Sequence, residues 1–308
     1  MNYKRLEIYT GWTCNQKCTY CMEYPNMQQA WNKKVTKYDI LKKLIKYKKD
    51  GYNHVTYLGG EPFIHDVFLD SLKIGKKLGY KILVTTNCTT LHIDNQASKF
   101  LPFIDELFLS VEAISVEDQQ KISRTKNYVN WEGVFKNIKK YWKGTLLKAN
   151  IVITQDNKNK LFNLVEFLEA NGIKNIAITY PDIAYKYYGK KYVLENISPT
   201  YTECITEIEK LVKFGEEKEM IIKVVDFPFC VFPKDKIERY IKLTDDYDYQ
   251  TRLKITHKED LLDRGETSPR MRKNGKKCKD CKYKKICWGP SIHYEKLYGL
   301  DEINCIKN

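Results

Sequence analysis

The sequence predicts an α/β fold: a partial (β/α)6 barrel of the TIM type, followed by a small α+β, loop-rich C-terminal domain. Three observations carry this expectation. Short β-type runs alternate with amphipathic helical stretches over the first two-thirds of the chain, the rhythm of right-handed βαβ units and a parallel sheet. That rhythm breaks after about Tyr180. A tail holding Cys278, Cys281, Cys287 and Cys305 then closes the chain.

The strands are read over Leu6–Thr10, His54–Leu58, Lys81–Thr86, Glu106–Val111, Leu147–Thr154 and Asn175–Thr179. Between them, helical patterns run over Lys37–Asp50, Val67–Leu78, Asp94–Phe100, Trp131–Trp142 and Lys160–Asn171. In the first helix Ile40, Leu41, Leu44 and Ile45 form an apolar stripe, and lysines cover the rest. The last ends at Asn171-Gly172, a C-cap signal. Six such units make an incomplete barrel, and parallel barrels carry their chemistry at the C-terminal ends of the strands.

Beyond Tyr180, a Tyr- and Lys-rich connection from Tyr185 to Tyr192 leads to a helix over Tyr201–Glu219 and a strand over Ile221–Val225. Residues 234–277 are polar and charged with little apolar periodicity, and read as long loops. The expected domains are 1–190 and 191–308.

Composition excludes several classes. With 308 residues, 43% hydrophobic and 13% aromatic, the chain is too apolar for a disordered protein. No run approaches the roughly 18 apolar residues of a spanning helix, so no membrane partner is expected. The start, MNYKRLEIYTGW, has no apolar signal region. Ten cysteines without an export signal point to metal ligands or catalytic thiols in a reducing cytoplasm. Lysine and arginine exceed acids by 53 to 39, a net charge of +14. The lysines are spread over helix faces, which reads as solvation rather than a nucleic-acid surface.

The sharpest chemical signal is CNQKCTYC, which places Cys14, Cys18 and Cys21 in a C-x3-C-x2-C spacing after the first strand. Three thiolates on one loop can hold three irons of a [4Fe–4S] cube and leave the fourth open to a substrate or cofactor. A zinc loop or a chance triple are the alternatives.

With Tyr20 at the aromatic position before the third cysteine, this motif resembles the signature of the radical SAM superfamily. The resemblance implies a [4Fe–4S] cluster whose open iron chelates the methionine moiety of S-adenosylmethionine (SAM). It also implies reductive cleavage of SAM to a 5′-deoxyadenosyl radical that abstracts a substrate hydrogen atom, and an external one-electron donor of the flavodoxin or ferredoxin type. Gly59, Gly60, Glu61 and Pro62 look like the family's GGEP motif, whose backbone contacts the SAM amine. Asn87 ends the third strand in Thr-Thr-Asn where relatives show Thr-Asn-Gly, and Cys88 takes the usual glycine place. Ser110 and Glu112 are similar to the element near the SAM ribose and amine. Arg124 stands where relatives place an arginine near the SAM carboxylate, and Asn157 near adenine.

The tail, Cys278-x2-Cys281-x5-Cys287 with Cys305 beyond, is similar to the SPASM or twitch extension of that superfamily, with Ser291 in place of a further cysteine. The resemblance implies one auxiliary [4Fe–4S] cluster on these four thiolates; a zinc site is the alternative. Cys88 and Cys230 are candidate catalytic thiols; Cys230 also reads as a replacement ligand or as a buried core residue. The expected substrate is a ribosomally synthesised peptide, altered by cross-linking, oxidation or epimerisation. With the barrel starting by Leu6, a peptide is expected to need a separate peptide-recognition partner or direct contacts with the chain. The alternatives are a dehydrogenase of a small molecule such as an aminosugar, an RNA-modifying enzyme, and a non-catalytic iron–sulfur or zinc protein.

Overall fold

A computed structural model of the chain describes residues 4–21, 23, 34–181, 197–243, 252–255 and 275–307. The expected 190/191 boundary and the Tyr185–Tyr192 connection lie outside the described residues. Packing divides the chain into two compact units. The first comprises Met1–Cys18, Glu23–Lys148 and Tyr247–Glu266; the second comprises Thr19–Met22, Ala149–Asp246 and Thr267–Asn308.

In the first unit lie strands β1 (Arg5–Tyr9), β2 (His54–Leu58), β3 (Lys81–Thr86) and β4 (Glu106–Ser110). Their helices are α1 (Lys37–Lys49), α2 (Phe68–Lys77), α3 (Asp94–Phe100), α4 (Val116–Ser123) and α5 (Trp131–Tyr141). The strands pair in parallel in the order β4-β3-β2-β1. Leu6, Val55, Ile82 and Leu107 are fully buried on them, as expected of strands that helices cover. Helix α1 starts on a Thr36–Asp39 capping box. Its buried stripe is narrower than the pattern predicts: Ile40 and Leu44 are buried, whereas Ile45 is 39% exposed.

The second unit holds most of β5 (Leu146–Val152), then α6 (Leu161–Ala170), β6 (Asn175–Thr179), α7 (Tyr201–Glu217) and β7 (Ile221–Val225). Strand β7 pairs in parallel with β6. Helices α8 (Ile237–Leu243) and α9 (Ile292–Tyr298) complete its helices among the described residues.

Two elements correct the reading of 234–277 as loops. Helix α8 buries only Ile237 and Tyr240, too few apolar positions to show a period. Strand β8 (Arg252–Ile255) is four residues long and belongs to the first unit. It pairs in parallel with β1, from Arg5↔Arg252 to Ile8↔Ile255. What makes it a strand is the open edge of β1, whose backbone groups need partners, and no local pattern announces that. Helix α4 also escapes the apolar pattern, because its buried face is Gln119, Ile122 and Ser123.

At the N-terminal ends of the strands, charge closes the sheet. Arg5 of β1 lies 3.4 Å from Glu106 of β4, and Lys81 of β3 lies 2.8 Å from its other oxygen. The Arg5 and Glu106 side chains are only 10% and 8% exposed. Removing one partner of a buried pair strands the other charge. Glu106→Ala is therefore expected to lower unfolding free energy by about 3 kcal/mol in urea titrations. Cluster uptake, at the opposite strand ends, should be unchanged.

Candidate functional site

At the C-terminal ends of β1, β2 and β3 the first unit brings three of the sequence motifs together. The residues after β1 lead into Cys14 and Cys18, both half-buried. The residues after β2 lie against them, with Gly60 N–H donating to Gly11 C=O (3.1 Å) and Glu61 N–H to Thr13 C=O (3.0 Å). The two glycines exist for this contact. A Cβ on Gly60 would stand 1.9 Å from the Thr13 carbonyl oxygen, and Gly59 has φ +127° with its Cβ position 2.6 Å from the Gly11 oxygen. The close approach that glycine permits is thus to the start of the cysteine loop.

Glu61 is 1% exposed, and both its oxygens face inward. One accepts from Thr86 Oγ1 (2.8 Å) and Phe63 N–H (3.2 Å), the other from Asn87 N–H (2.7 Å). Burial raises its pKa to about 7, against three hydrogen bonds that pull it down. Its side chain bridges the GGEP turn to the end of β3, so its own carboxylate is committed within the protein.

Just past that bridge, Asn87 is half-buried and Cys88 fully buried, with φ +65°. Glycine adopts that left-handed conformation without a Cβ clash; here a cysteine holds it. The Cys88 thiol does not stand open at the strand ends: burial pushes its pKa well up, and its Sγ lies 3.6 Å from the Thr86 carbonyl.

Beside Cys18 a small cavity opens, lined by Gln16, Asn87, Ser110, Glu112, Gln119 and Trp131 among others. Four residues singled out in the sequence (Cys18, Asn87, Ser110 and Glu112) meet there. Helix α4 forms one side. Gln119 accepts from Val129 N–H at 2.5 Å and donates to Ile114 C=O at 2.8 Å, while Trp131 Nε1 donates to Ala113 C=O at 3.1 Å. Arg124 is exposed at the C-cap of α4, with φ +52°.

In the second unit, Tyr20 and Cys21 are half-buried. Asn157, in the segment after β5, is 1% exposed, and its amide accepts from Thr154 N–H (2.7 Å) and donates to Val152 C=O (2.9 Å). The side chain ties down its own loop after β5.

The same unit contains a second, small cavity walled by Cys230, Cys278, Cys281, Cys287 and Cys305 together with Phe229 and Tyr283. Cys230 joins the tail cysteines there from a short 3₁₀ turn, Phe229–Val231. Ser291 caps α9 instead, its Oγ accepting from His293 N–H at 3.2 Å.

The profile of the Radical SAM superfamily matches residues 8–168, more than half of the 308 residues. The chain belongs to the radical SAM superfamily. An S-adenosylmethionine-dependent nucleotide dehydratase of Flammeovirga pacifica is 26% identical over 165 residues, 49% of this chain and 53% of that protein. The chain thus spans about half the length of that relative. A probable GTP 3′,8-cyclase of Saccharolobus islandicus is 28% identical over 240 residues, 77% of this chain and 73% of that one. Among solved structures, Streptococcus suis SuiB bound to S-adenosylmethionine aligns with a TM-score of 0.61 at 18% identity, over 99% of this chain and 76% of that one. The fold is therefore the expected one, a partial TIM-like radical SAM barrel with a C-terminal cysteine-rich region.

Radical SAM membership implies a [4Fe–4S] cluster and SAM. The residues fit them. Thiols from Cys14 and Cys18 suit iron, and the cavity beside Cys18 offers hydroxyl, amide and carboxylate groups. Gln16, Gln119 and Trp131 of the cavity wall carry no signal in the sequence. Only the density of Asn and Thr at the end of β3, in TTNCTT, hints at a polar network.

Two outcomes follow for the radical SAM motif residues. The folded chain binds the Glu61 proton more tightly than the unfolded chain, with a pKa raised from 4.5 to about 7. Its contribution to stability is fully present below about pH 4.5 and declines as pH rises through 7. Urea unfolding across this range should show that slope, and Glu61→Gln should flatten it. Gly60→Ala should lower stability by about 2–3 kcal/mol and reduce iron uptake, because the Cβ drives Thr13 away and Cys14 with it; urea midpoints and iron analysis read both.

Proposed function

We propose that this radical SAM protein carries two [4Fe–4S] clusters and modifies a ribosomally synthesised peptide by hydrogen-atom abstraction, yielding a cross-link, an oxidation or an epimerisation. Cys14, Cys18 and Cys21 hold the SAM cluster in this reading, and Cys278, Cys281, Cys287 and Cys305 the auxiliary one. The observation that carries it is the C-terminal cavity, which five cysteines line. A [4Fe–4S] cluster is held by four cysteine thiolates, and the tail supplies that number. Support for a peptide substrate comes from the fold shared with SuiB, also solved with its precursor peptide SuiA (TM-score 0.63, 16% identity, 94% of this chain and 72% of that one).

When bound, the reduced cluster and SAM supply the hydrogen-abstracting radical. The chain's own residues position and protect it. Glu61 and Thr86 hold the GGEP turn and the end of β3 in register. Ser110 and Glu112 offer oxygen acceptors to the amine and ribose of SAM, and Arg124 offers a cation to its carboxylate. Ile122, Val129 and Trp131 supply the apolar part of the cavity wall. An external donor of the flavodoxin or ferredoxin type would supply the electron.

The 28% identity to a probable GTP 3′,8-cyclase over 240 residues favours a second reading, a nucleotide substrate. Anaerobic reconstitution separates the readings. About eight irons per chain are expected, two four-iron clusters, with 5′-deoxyadenosine formed from SAM and dithionite. Cys278→Ala with Cys281→Ala should leave about four irons. A peptide encoded beside the gene should accelerate 5′-deoxyadenosine formation and change mass. Acceleration by GTP with a cyclised nucleotide product would replace the peptide reading, and four irons in the wild type would remove the auxiliary cluster.

A further inference from the structure

The end of β3 and the cysteine loop share a closed ring of side chains that the proposed function does not use. Asn87 Nδ2 donates to Asn15 Oδ1 (2.9 Å), Asn15 Nδ2 to Thr89 Oγ1 (2.7 Å), and Thr89 Oγ1 to Asn87 Oδ1 (2.7 Å). The ring fixes each amide's orientation. Asn87 Oδ1 also accepts from the Thr89 backbone N–H (3.1 Å), which can only donate. The Asn87 NH₂ group must then face the other way, toward Asn15 Oδ1 and the sulfur of Cys14, 3.7 Å from it. One amide hydrogen goes to each.

The ring is anchored at three points. Glu61 accepts from the Asn87 backbone N–H at 2.7 Å. Asn127 donates from its side chain to Asn15 C=O at 2.8 Å. Thr89 is buried, 7% exposed. Gln16 N–H approaches the same sulfur at 3.4 Å, so Cys14 Sγ sits among two N–H donors held by separate parts of the unit. Such donors stabilise charge on a cluster thiolate, and more so in the reduced state, which carries one more negative charge.

We infer that Asn87, locked by Asn15 and Thr89, is a positioning residue that donates an N–H to the Cys14 sulfur and raises the reduction potential of the cluster that Cys14 holds. This rests on the reading of Cys14 as a ligand of the SAM cluster. Asn15 and Thr89 act through Asn87 by preventing its amide from rotating away.

The test uses the full-length holoenzyme and potentiometric EPR of the cluster signal that changes on adding SAM. Asn87→Leu should keep its iron content and shift that signal to a lower potential. Asn15→Leu, which frees the amide without removing it, should give a smaller shift in the same direction. A measurement on the wild type is independent of how the variants fold: with asparagine labelled by ¹⁵N at the side-chain amide, pulsed EPR of the reduced cluster should show a nitrogen coupling. An unchanged potential in Asn87→Leu at full iron content, or no amide-nitrogen coupling in the wild type, overturns the inference while leaving the SAM cluster standing. A wild type with no SAM-responsive signal overturns the underlying reading, and the inference with it.

Discussion

The carboxylate of Glu61 joins the loop after β2 to the end of β3. It accepts from Thr86, Asn87 and Phe63, while the backbone of the same turn donates to Gly11 and Thr13. Three strand ends are fixed by one buried acid and a pair of glycines. The cysteine loop, the Asn15–Thr89–Asn87 ring and the cavity beside Cys18 all take their positions from that junction. A buried carboxylate is costly unless its lone pairs are satisfied, and here three donors meet it in a place where water does not enter.

The two ends of the sheet in the first unit serve different purposes. At the N-terminal ends, Arg5, Lys81 and Glu106 tie β1, β3 and β4 together by charge, away from the cavity beside the cysteines. At the C-terminal ends the same strands run into loops lined with thiol, amide, hydroxyl and carboxylate groups. Parallel strands make this division natural, since all their carboxyl ends lie on one side and only loops there can vary without breaking the sheet. Stability and chemistry can thus be altered independently.

How much is legible in the sequence depends on where the information sits. Strands His54–Leu58, Lys81–Thr86, Asn175–Thr179 and Ile221–Val225 have the bounds the sequence predicts, because each is a short apolar run with turn residues on both sides. Helix α4 is hidden because its inward face is largely polar, and Gln119 is buried there through hydrogen bonds, not hydrophobicity. Strand β8 is hidden because its cause lies in another strand, about 250 residues earlier. Among site residues, the cysteine spacings and GGEP are plain in the chain, but the side-chain directions are not. Asn157 turns into its own loop, Cys88 into the core, and Ser291 to a helix N-terminus.

The sequence by itself determined the α/β class, the order of the strand–helix units, and the superfamily. All three are carried by local patterns: apolar period, turn residues, and thiols at fixed spacing on one loop. Tertiary structure alone decided which groups meet. It set Glu61 against β3, brought Cys230 to the cavity of the tail cysteines, and closed the ring of Asn15, Thr89 and Asn87 that aims an amide at Cys14. Those contacts join residues some 25 to 75 positions apart. At that separation no periodicity connects partners, and only the packing of the strand ends fixes the distance and angle of each hydrogen bond.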